Sequence, residues 1–192
     1  MLRPTYPIAT RRLLLRPYTM DDLEALHAIQ SLPEVARYLY WEPRSRDEVR
    51  EVLARRVRRP TLEVEGQTLV LAIVLPESGV LVGDVNLHWL SRKHRQGEIG
   101  FVLHPDHHGH GLAGEAAAVL LRLGFEELGL HRIIGRCDGR NTASAKVMER
   151  LGMRREAHFR QNELVKGEWC DELVYAMLAE EWPAGAQQPP GR

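Results

Sequence analysis

Gly109-His110-Gly111-Leu112-Ala113-Gly114 stands between a segment of strand character and a long helical pattern, and its reading decides the fold. Glycines at such a junction let the backbone approach a ligand closely, because no Cβ intervenes. The unpaired N–H groups of a helix's first turn and its positive dipole end favour a phosphate or pyrophosphate. Ala113, Gly114, Ala116, Ala117 and Ala118 keep the opening turns narrow. A tight turn without a ligand is the plain alternative. The six residues also match G-x-G-x-x-G, with Asp138 near the distance at which a dinucleotide fold places its ribose-binding acid. That rival fails on context. Pro105 to His108 separate the strand from the first glycine, and too little chain follows Asp138 for a second nucleotide-binding half.

Working outward, Val85, Leu87 and Trp89 alternate with Asp84, Asn86 and His88, and Ile99, Phe101 and Leu103 alternate with Glu98, Gly100 and Val102. With the apolar run Leu69 to Leu75, these segments predict three antiparallel strands, turning at Ser78-Gly79 and at Gln96-Gly97. Upstream, Arg12 to Arg16 reads as a strand. Thr19 reads as a helix cap before Met20 to Gln30, and two further helices are expected over Glu34–Leu39 and Arg46–Arg58. The run Arg55-Arg56-Val57-Arg58-Arg59 reads as a solvated helix face. Downstream, a helix is expected from Gly111 to Leu128, with Leu112, Ala116, Val119, Leu120 and Leu123 on its apolar face. A strand over Arg132–Cys137, a helix over Thr142–Leu151, and strands over Met153–Arg160 and Trp169–Leu178 complete a mixed α/β domain. Residues 1–182 are expected to form one domain, and the Pro-, Gly- and Gln-rich 183–192 a disordered tail.

Composition bounds the function classes. The chain has 192 residues, with Lys+Arg and Asp+Glu both 26, so no bulk attraction to nucleic acid or anionic lipid is implied. Cys137 and Cys170 form no C-x-x-C pair, and no stretch approaches the roughly 18 apolar residues of a membrane span. No nucleic-acid or membrane partner is expected, and the cytoplasm is the default location. His104, His107, His108 and His110 crowd together, but no cysteine and no carboxylate beyond Asp106 joins them, so no metal is expected.

The segment from Glu98 to Leu151 resembles the acetyl-CoA-binding core of the GNAT superfamily of N-acetyltransferases, and more closely its branch of Rim-type, ribosomal-protein-modifying enzymes. The resemblance rests on Ile99-Gly100-Phe101-Val102-Leu103-His104-Pro105, on Gly109-x-Gly111-x-Ala113-Gly114-Glu115-Ala116, on Gly124-Phe125-Glu126-Glu127-Leu128-Gly129-Leu130, on Asn141-x-x-Ser144, and on Glu149-Arg150-Leu151-Gly152-Met153. Thr10-Arg11-Arg12-Leu13-x-Leu15-Arg16, Trp169-x-Asp171-Glu172 and Glu181-Trp182 extend it to nearly the whole chain. It implies a mostly antiparallel central sheet with one splayed parallel strand pair and flanking helices. It also implies acetyl-CoA as acyl donor, bound by Phe101, Val102, Leu103, His108, Gly109, His110, Gly111, Leu112, Ala113, Gly114 and Asn141. The implied partner is an amine acceptor, either a protein N-terminus or a small molecule; Tyr38, Tyr40 and Trp41 are expected to wall its pocket, with ordinary core aromatics as the plain alternative, and a homodimer is left open.

Acylation of an amine needs a deprotonated nucleophile, stabilisation of an oxyanion and a proton for the leaving thiolate. Glu98 is the candidate base; an ion-paired strand residue is its plain alternative. Glu115 reads as a carboxylate at a helix start, and Cys137 as a packed strand residue. Two positions depart from the superfamily pattern. Asp106 stands where Gln or Arg often contributes to phosphate binding, and Met148 where a tyrosine often serves as acid. The acid role is therefore expected of Ser144, against the alternative of a hydroxyl bonded within its own helix. Loss of the tyrosine also allows a catalytically silent acyl-CoA-binding module.

Overall fold

The computed structural model describes residues 1–183; the expected tail from residue 184 onward lies outside the described residues. Eight strands form one sheet in the order β1-β2-β3-β4-β5-β6-β8-β7. They span Ile8–Ala9 (β1), Leu14–Arg16 (β2), Thr68–Val74 (β3), Leu81–Ser91 (β4), Gln96–Leu103 (β5), Arg132–Asp138 (β6), Arg154–Val165 (β7) and Glu168–Leu178 (β8). Every neighbouring pair is antiparallel except β5 and β6. This is the mostly antiparallel sheet with one parallel pair that the sequence implies.

Five α-helices flank it: α1 (Leu23–Gln30), α2 (Pro33–Ala36), α3 (Arg46–Val57), α4 (Leu112–Arg122) and α5 (Thr142–Arg150). Ser45 starts α3 with a reciprocal cap, its hydroxyl accepting from the Glu48 amide while the Glu48 carboxylate takes the Ser45 N–H. The alternating strand pattern sends side chains to two faces. On one, Leu71, Ile73, Val85, Leu87, Ile99, Ile133 and Tyr175 pack with Leu112, Ala116 and Leu120 of α4 and Met148 of α5. On the other, Ala72 and Val74 pack with Leu26 and Ile29 of α1 and Val49 and Leu53 of α3. Each fully buried leucine contributes about 1.5–3 kcal/mol relative to exposure.

The structure departs from the sequence reading in several places; the second helix, expected over Glu34–Leu39, is Pro33–Ala36, and a short strand, Ile8–Ala9, precedes the first one expected. Gln96 and Gly97 belong to β5; the turn is Arg92–Arg95, where Arg95 has φ 51°. The strand starts early because Gly97 pairs Trp89, and a Cβ there would meet Leu130 Cδ1 at 2.6 Å. The long helix changes at Leu123–Glu127 into a π turn that brings Phe125 within 6.0 Å of Trp182, ring centre to ring centre. The hydrophobic period cannot distinguish that turn from continuing α-helix. Strand β7 runs on to Val165, past the expected end at Arg160. Finally, Arg56 is not on a solvated face. It donates to Asp84 Oδ2 at 2.8 Å, and the same oxygen accepts from the Tyr18 hydroxyl at 3.1 Å. Asp84 is 2% exposed, so an arginine must turn inward to meet it. Burial first, and then Asp84, pushes the Tyr18 phenol well above its ordinary range.

Candidate active site

The site begins where the sheet opens. Strands β5 and β6 are paired only at Gln96–Arg132, Gly97–Ile133 and Glu98–Ile134. Beyond Glu98, β5 stays paired with β4 as far as Leu103–Gly83, while β6 stays paired with β8 as far as Asp138–Glu172. The edge of β5 from Ile99 to Leu103 therefore faces a gap. A cleft of about 680 Å³ occupies the gap and is lined from both sides of the sheet. Ile99, Phe101 and Leu103 pack toward the α4–α5 side, whereas Val102 packs toward the α1–α3 side. The cleft thus has a mouth on each face.

At the α4 mouth lies the glycine turn. Gly109 and Gly111 have φ 79° and 75°, left-handed values that favour glycine. Glu115 N–H, bonded to the Gly111 carbonyl, is the first amide of α4 with a backbone acceptor. Among the described residues, the amides from Gly109 to Gly114 donate to no protein acceptor. A Cβ built at Gly109 or Gly114 meets nothing within 4 Å, and one at Gly111 meets only Arg12 Nη2 at 3.6 Å. A row of unpaired donors beside open space at a helix start fits a pyrophosphate, so the residues present suit acetyl-CoA.

The turn is held from behind. Glu115 accepts from the Thr10 hydroxyl (2.6 Å), the Arg12 amide (2.8 Å) and Arg12 Nε (2.7 Å), while Arg12 Nη1 reaches the His110 carbonyl at 2.8 Å. Burial, the largest single influence, pushes the Glu115 carboxyl up, but these bonds together outweigh it and hold the group below its ordinary value. Through these bonds Glu115 braces the turn from behind.

Of the expected cofactor residues, Phe101, Val102, Leu103, His108, Gly109, Gly111, Leu112, Ala113 and Asn141 line the cleft; His110 and Gly114 do not. His108 Nε2 lies 3.1 Å from the Leu103 carbonyl, tying the turn to the end of β5. Among the described residues, no three His, Cys, Asp or Glu side chains are grouped to hold a metal ion.

Helix α5 forms the opposite wall. Asn141 caps it, its Oδ1 accepting from the Ser144 amide at 3.1 Å. Ser144 lines the cleft, and its hydroxyl makes no hydrogen bond among the described residues, contrary to the helix-internal alternative. Met148 is 2% exposed and seated on β6 at Gly135, where a Cβ would meet its Sδ at 2.5 Å. Cys137 also lines the cleft; burial, then Asp138 and Glu172, pushes its thiol up to about 11, so a thiolate is disfavoured.

The α1–α3 mouth is polar. Tyr38 and Tyr40 line it, but Trp41 does not: Arg44 stacks on that indole at 4.4 Å. The Tyr40 hydroxyl donates to Glu163 Oε2, and burial followed by that carboxylate raises its pKa. Glu98 is gripped by Arg136, with Nε to Oε1 at 3.0 Å and Nη2 to Oε2 at 3.3 Å. Arg136 Nη1 also reaches Glu172 Oε1 at 3.2 Å. Asn86 covers Gly100, where a Cβ would meet Asn86 Nδ2 at 2.7 Å. Sequence reasoning did not single out Arg136, Glu172 or Asn86 as site residues. The signal available for Glu172 was its place in the Trp169-x-Asp171-Glu172 match; Arg136 and Asn86 read only as polar residues of strands.

A splayed strand pair, a glycine turn opening a helix and an asparagine-capped helix facing it define the class: a GNAT-type acyltransferase. The comparisons agree. The model of the Acetyltransferase (GNAT) domain matches residues 12–154, and the chain belongs to that family. It is 33% identical over 175 residues to the "Uncharacterized N-acetyltransferase YnaD" of Bacillus subtilis (strain 168), covering 91% of this chain and 98% of that protein. The [Ribosomal protein uS5]-alanine N-acetyltransferase of Escherichia coli (strain K12) is 24% identical over 122 residues, 63% of each chain. The crystal structure of the acetyltransferase (GNAT family) from Bacillus anthracis superposes with TM-score 0.82 at 34% identity, covering 91% of this chain and 99% of that one. The protein is an N-acetyltransferase.

Proposed function

We propose that the chain moves the acetyl group of acetyl-CoA onto a primary amine by direct attack, donor and acceptor meeting in the gap between β5 and β6. One observation carries this reading. A single cleft runs from the glycine turn at Gly109, Gly111 and Ala113, past Ser144, to Glu98 and Tyr40. The donor fits the α4 mouth, where the anion site is, and the amine the α1–α3 mouth, where carboxylates can attract an ammonium group. The acceptor is a protein N-terminal amine or a small-molecule amine.

The division of labour follows from the two mouths. Glu98 takes the proton that the ammonium must lose, directly or through a water. The amine nitrogen then attacks the thioester carbon. A backbone N–H on the open edge between Ile99 and Leu103 hydrogen-bonds the carbonyl oxygen as its charge grows. The nitrogen, positively charged once it has attacked, gives up its second proton to solvent, the tetrahedral centre collapses, the C–S bond breaks, and the Ser144 hydroxyl donates a hydrogen bond to the departing thiolate. The proton of CoA–SH comes from solvent through that hydroxyl. Orienting both reactants in one gap removes the entropic part of the barrier to their encounter.

A catalytically silent acyl-CoA-binding module is the second reading, favoured by the burial of Met148 in the tyrosine's place. Thiol release from acetyl-CoA, measured with peptides of varied N-terminus, polyamines and free amino acids, separates the two. Amine-dependent release with an acetylated product supports the enzyme. Acetyl-CoA binding without release on any amine supports the module.

A further inference from the structure

Arg136 and Glu172 stand outside every role assigned so far, yet they join Glu98 to the far edge of the sheet. Glu98 is the last β5 residue paired with β6, at Ile134, and its carboxylate is free to swing toward the gap that opens beyond it. Arg136 removes that freedom by gripping both carboxylate oxygens, at 3.0 and 3.3 Å. A guanidinium is suited to this, since its fork matches a carboxylate. The third nitrogen, Nη1, is taken by Glu172, which is 6% exposed. Glu172's other oxygen, Oε2, accepts from Asn162 Nδ2 at 2.9 Å.

Asn162 is delivered by an irregularity in β7. The β7–β8 register slips between Phe159 and Glu163, where Gln161 adopts φ 48° and its amide donates to Asp171 Oδ1 at 2.9 Å. The bulge, Asn162, Glu172, Arg136 and Glu98 thus form one continuous polar chain. Other polar or titratable groups near it are His88 on β4, whose Nδ1 is engaged by Thr68 at 2.8 Å, Tyr40 before α3, and Glu163 on β7. Arg136 is the cation of the cluster, and two carboxylates share it.

We propose that Arg136 and Glu172 are positioning residues for Glu98. Arg136 holds the carboxylate at the mouth of the gap, and Glu172 divides the guanidinium's charge so that Glu98 can still accept a proton from the amine. This rests on the reading of Glu98 as the base. The two residues therefore act on Glu98 in opposite electrostatic senses. Removing Arg136 takes away the charge that favours the ionised base. Removing the charge of Glu172 leaves Arg136 undivided on Glu98.

The test is the pH dependence of kcat/KM for the wild type, Arg136→Gln, Arg136→Lys, Glu172→Gln and Glu98→Gln, with the acetyl-CoA thermal shift of each confirming a folded cofactor mouth. The acidic limb is expected to move up by roughly one pH unit in Arg136→Gln and down by a similar amount in Glu172→Gln, the scale of a nearby charge. Arg136→Lys, which keeps the charge and loses the fork, is expected to hold the limb near wild type while kcat falls about tenfold or more. In Glu98→Gln the limb should be replaced by a continuous rise toward higher pH, set by the amine's own deprotonation. If the wild-type limb persists there at its wild-type position, Glu98 is not the base, and the reading and this proposal fall together. If it is replaced in Glu98→Gln but stays in place in Arg136→Gln and Glu172→Gln, the base stands and this proposal alone is overturned.

Discussion

Glu98 on β5 faces Ile134 as its last partner across the parallel pair, and one pleat further along β6 Arg136 folds back onto the Glu98 carboxylate at 3.0 Å. The point where the sheet opens and the point where the candidate base is held are therefore the same. In the proposed reading, residues on the α4–α5 side, Ser144 and the glycine turn, face the donor, and those on the other side face the acceptor.

Ser144→Ala tests the acid side. The hydroxyl lines the cleft and is bonded to nothing among the described residues, so its removal should disturb neither α5 nor acetyl-CoA affinity. Loss of one preorganised donor typically costs about 10²–10³ in kcat. Steady-state kinetics should show that fall with an unchanged acetyl-CoA Kd. A wild-type kcat would leave the thiolate to solvent and make Ser144 a wall residue only.

Gly111→Asp tests the anion site. It sets a carboxylate at the left-handed N-cap beside the unpaired amides, facing any pyrophosphate. The thermal shift given by acetyl-CoA, which follows RT ln(1 + [L]/Kd), should shrink as Kd rises tenfold or more. Gly111→Asn, with a similar backbone demand and no charge, should lose less. Equal losses in the two variants would assign the effect to the backbone instead.

Arg56→Met tests the buried triad under α1 and α3. Asp84 and Tyr18 would remain inside without their cation, and breaking a buried pair from one side costs roughly 3–5 kcal/mol. Urea unfolding should show a loss of that size. A change below about 1 kcal/mol would mean that the site relaxes to admit water.

Glu115 gives a pH signature. Its folded carboxyl lies below the ordinary value, so its stabilisation is fully present above the unfolded value, about 4.3, and is lost as pH falls through the folded one. The melting temperature of wild type should therefore drop more steeply between about pH 5 and 3 than that of Glu115→Gln. Parallel curves would contradict the account of Thr10 and Arg12 bracing the turn.

The α4 mouth was legible because local chemistry writes it. Gly109 and Gly111 announce left-handed turns, the small residues after them a narrow helix start, and Asn141 a cap. The α1–α3 mouth was not. Arg136 occupies an ordinary polar position on a strand. Its meaning depends on two things no local pattern records: the loss of β5–β6 pairing beyond Glu98, and the bulge that aims Asn162 at Glu172. Arg56 misled for the same reason. An arginine-rich helix face reads as solvated until Asp84, from a distant strand, is known to lie beneath it. Trp41, adjacent to Tyr40 in sequence, turns away because Arg44 claims its ring.

Direct transfer requires both ligands to be held at once in the through-sheet cleft. Initial velocities measured while acetyl-CoA and an accepted amine are varied together test it most directly. Intersecting double-reciprocal lines are predicted, since both must be bound before reaction, and Cys137, its thiol pushed up to about 11, is disfavoured as a thiolate nucleophile. Parallel lines would contradict the claim, because they report a covalent acetyl-enzyme formed before the amine arrives.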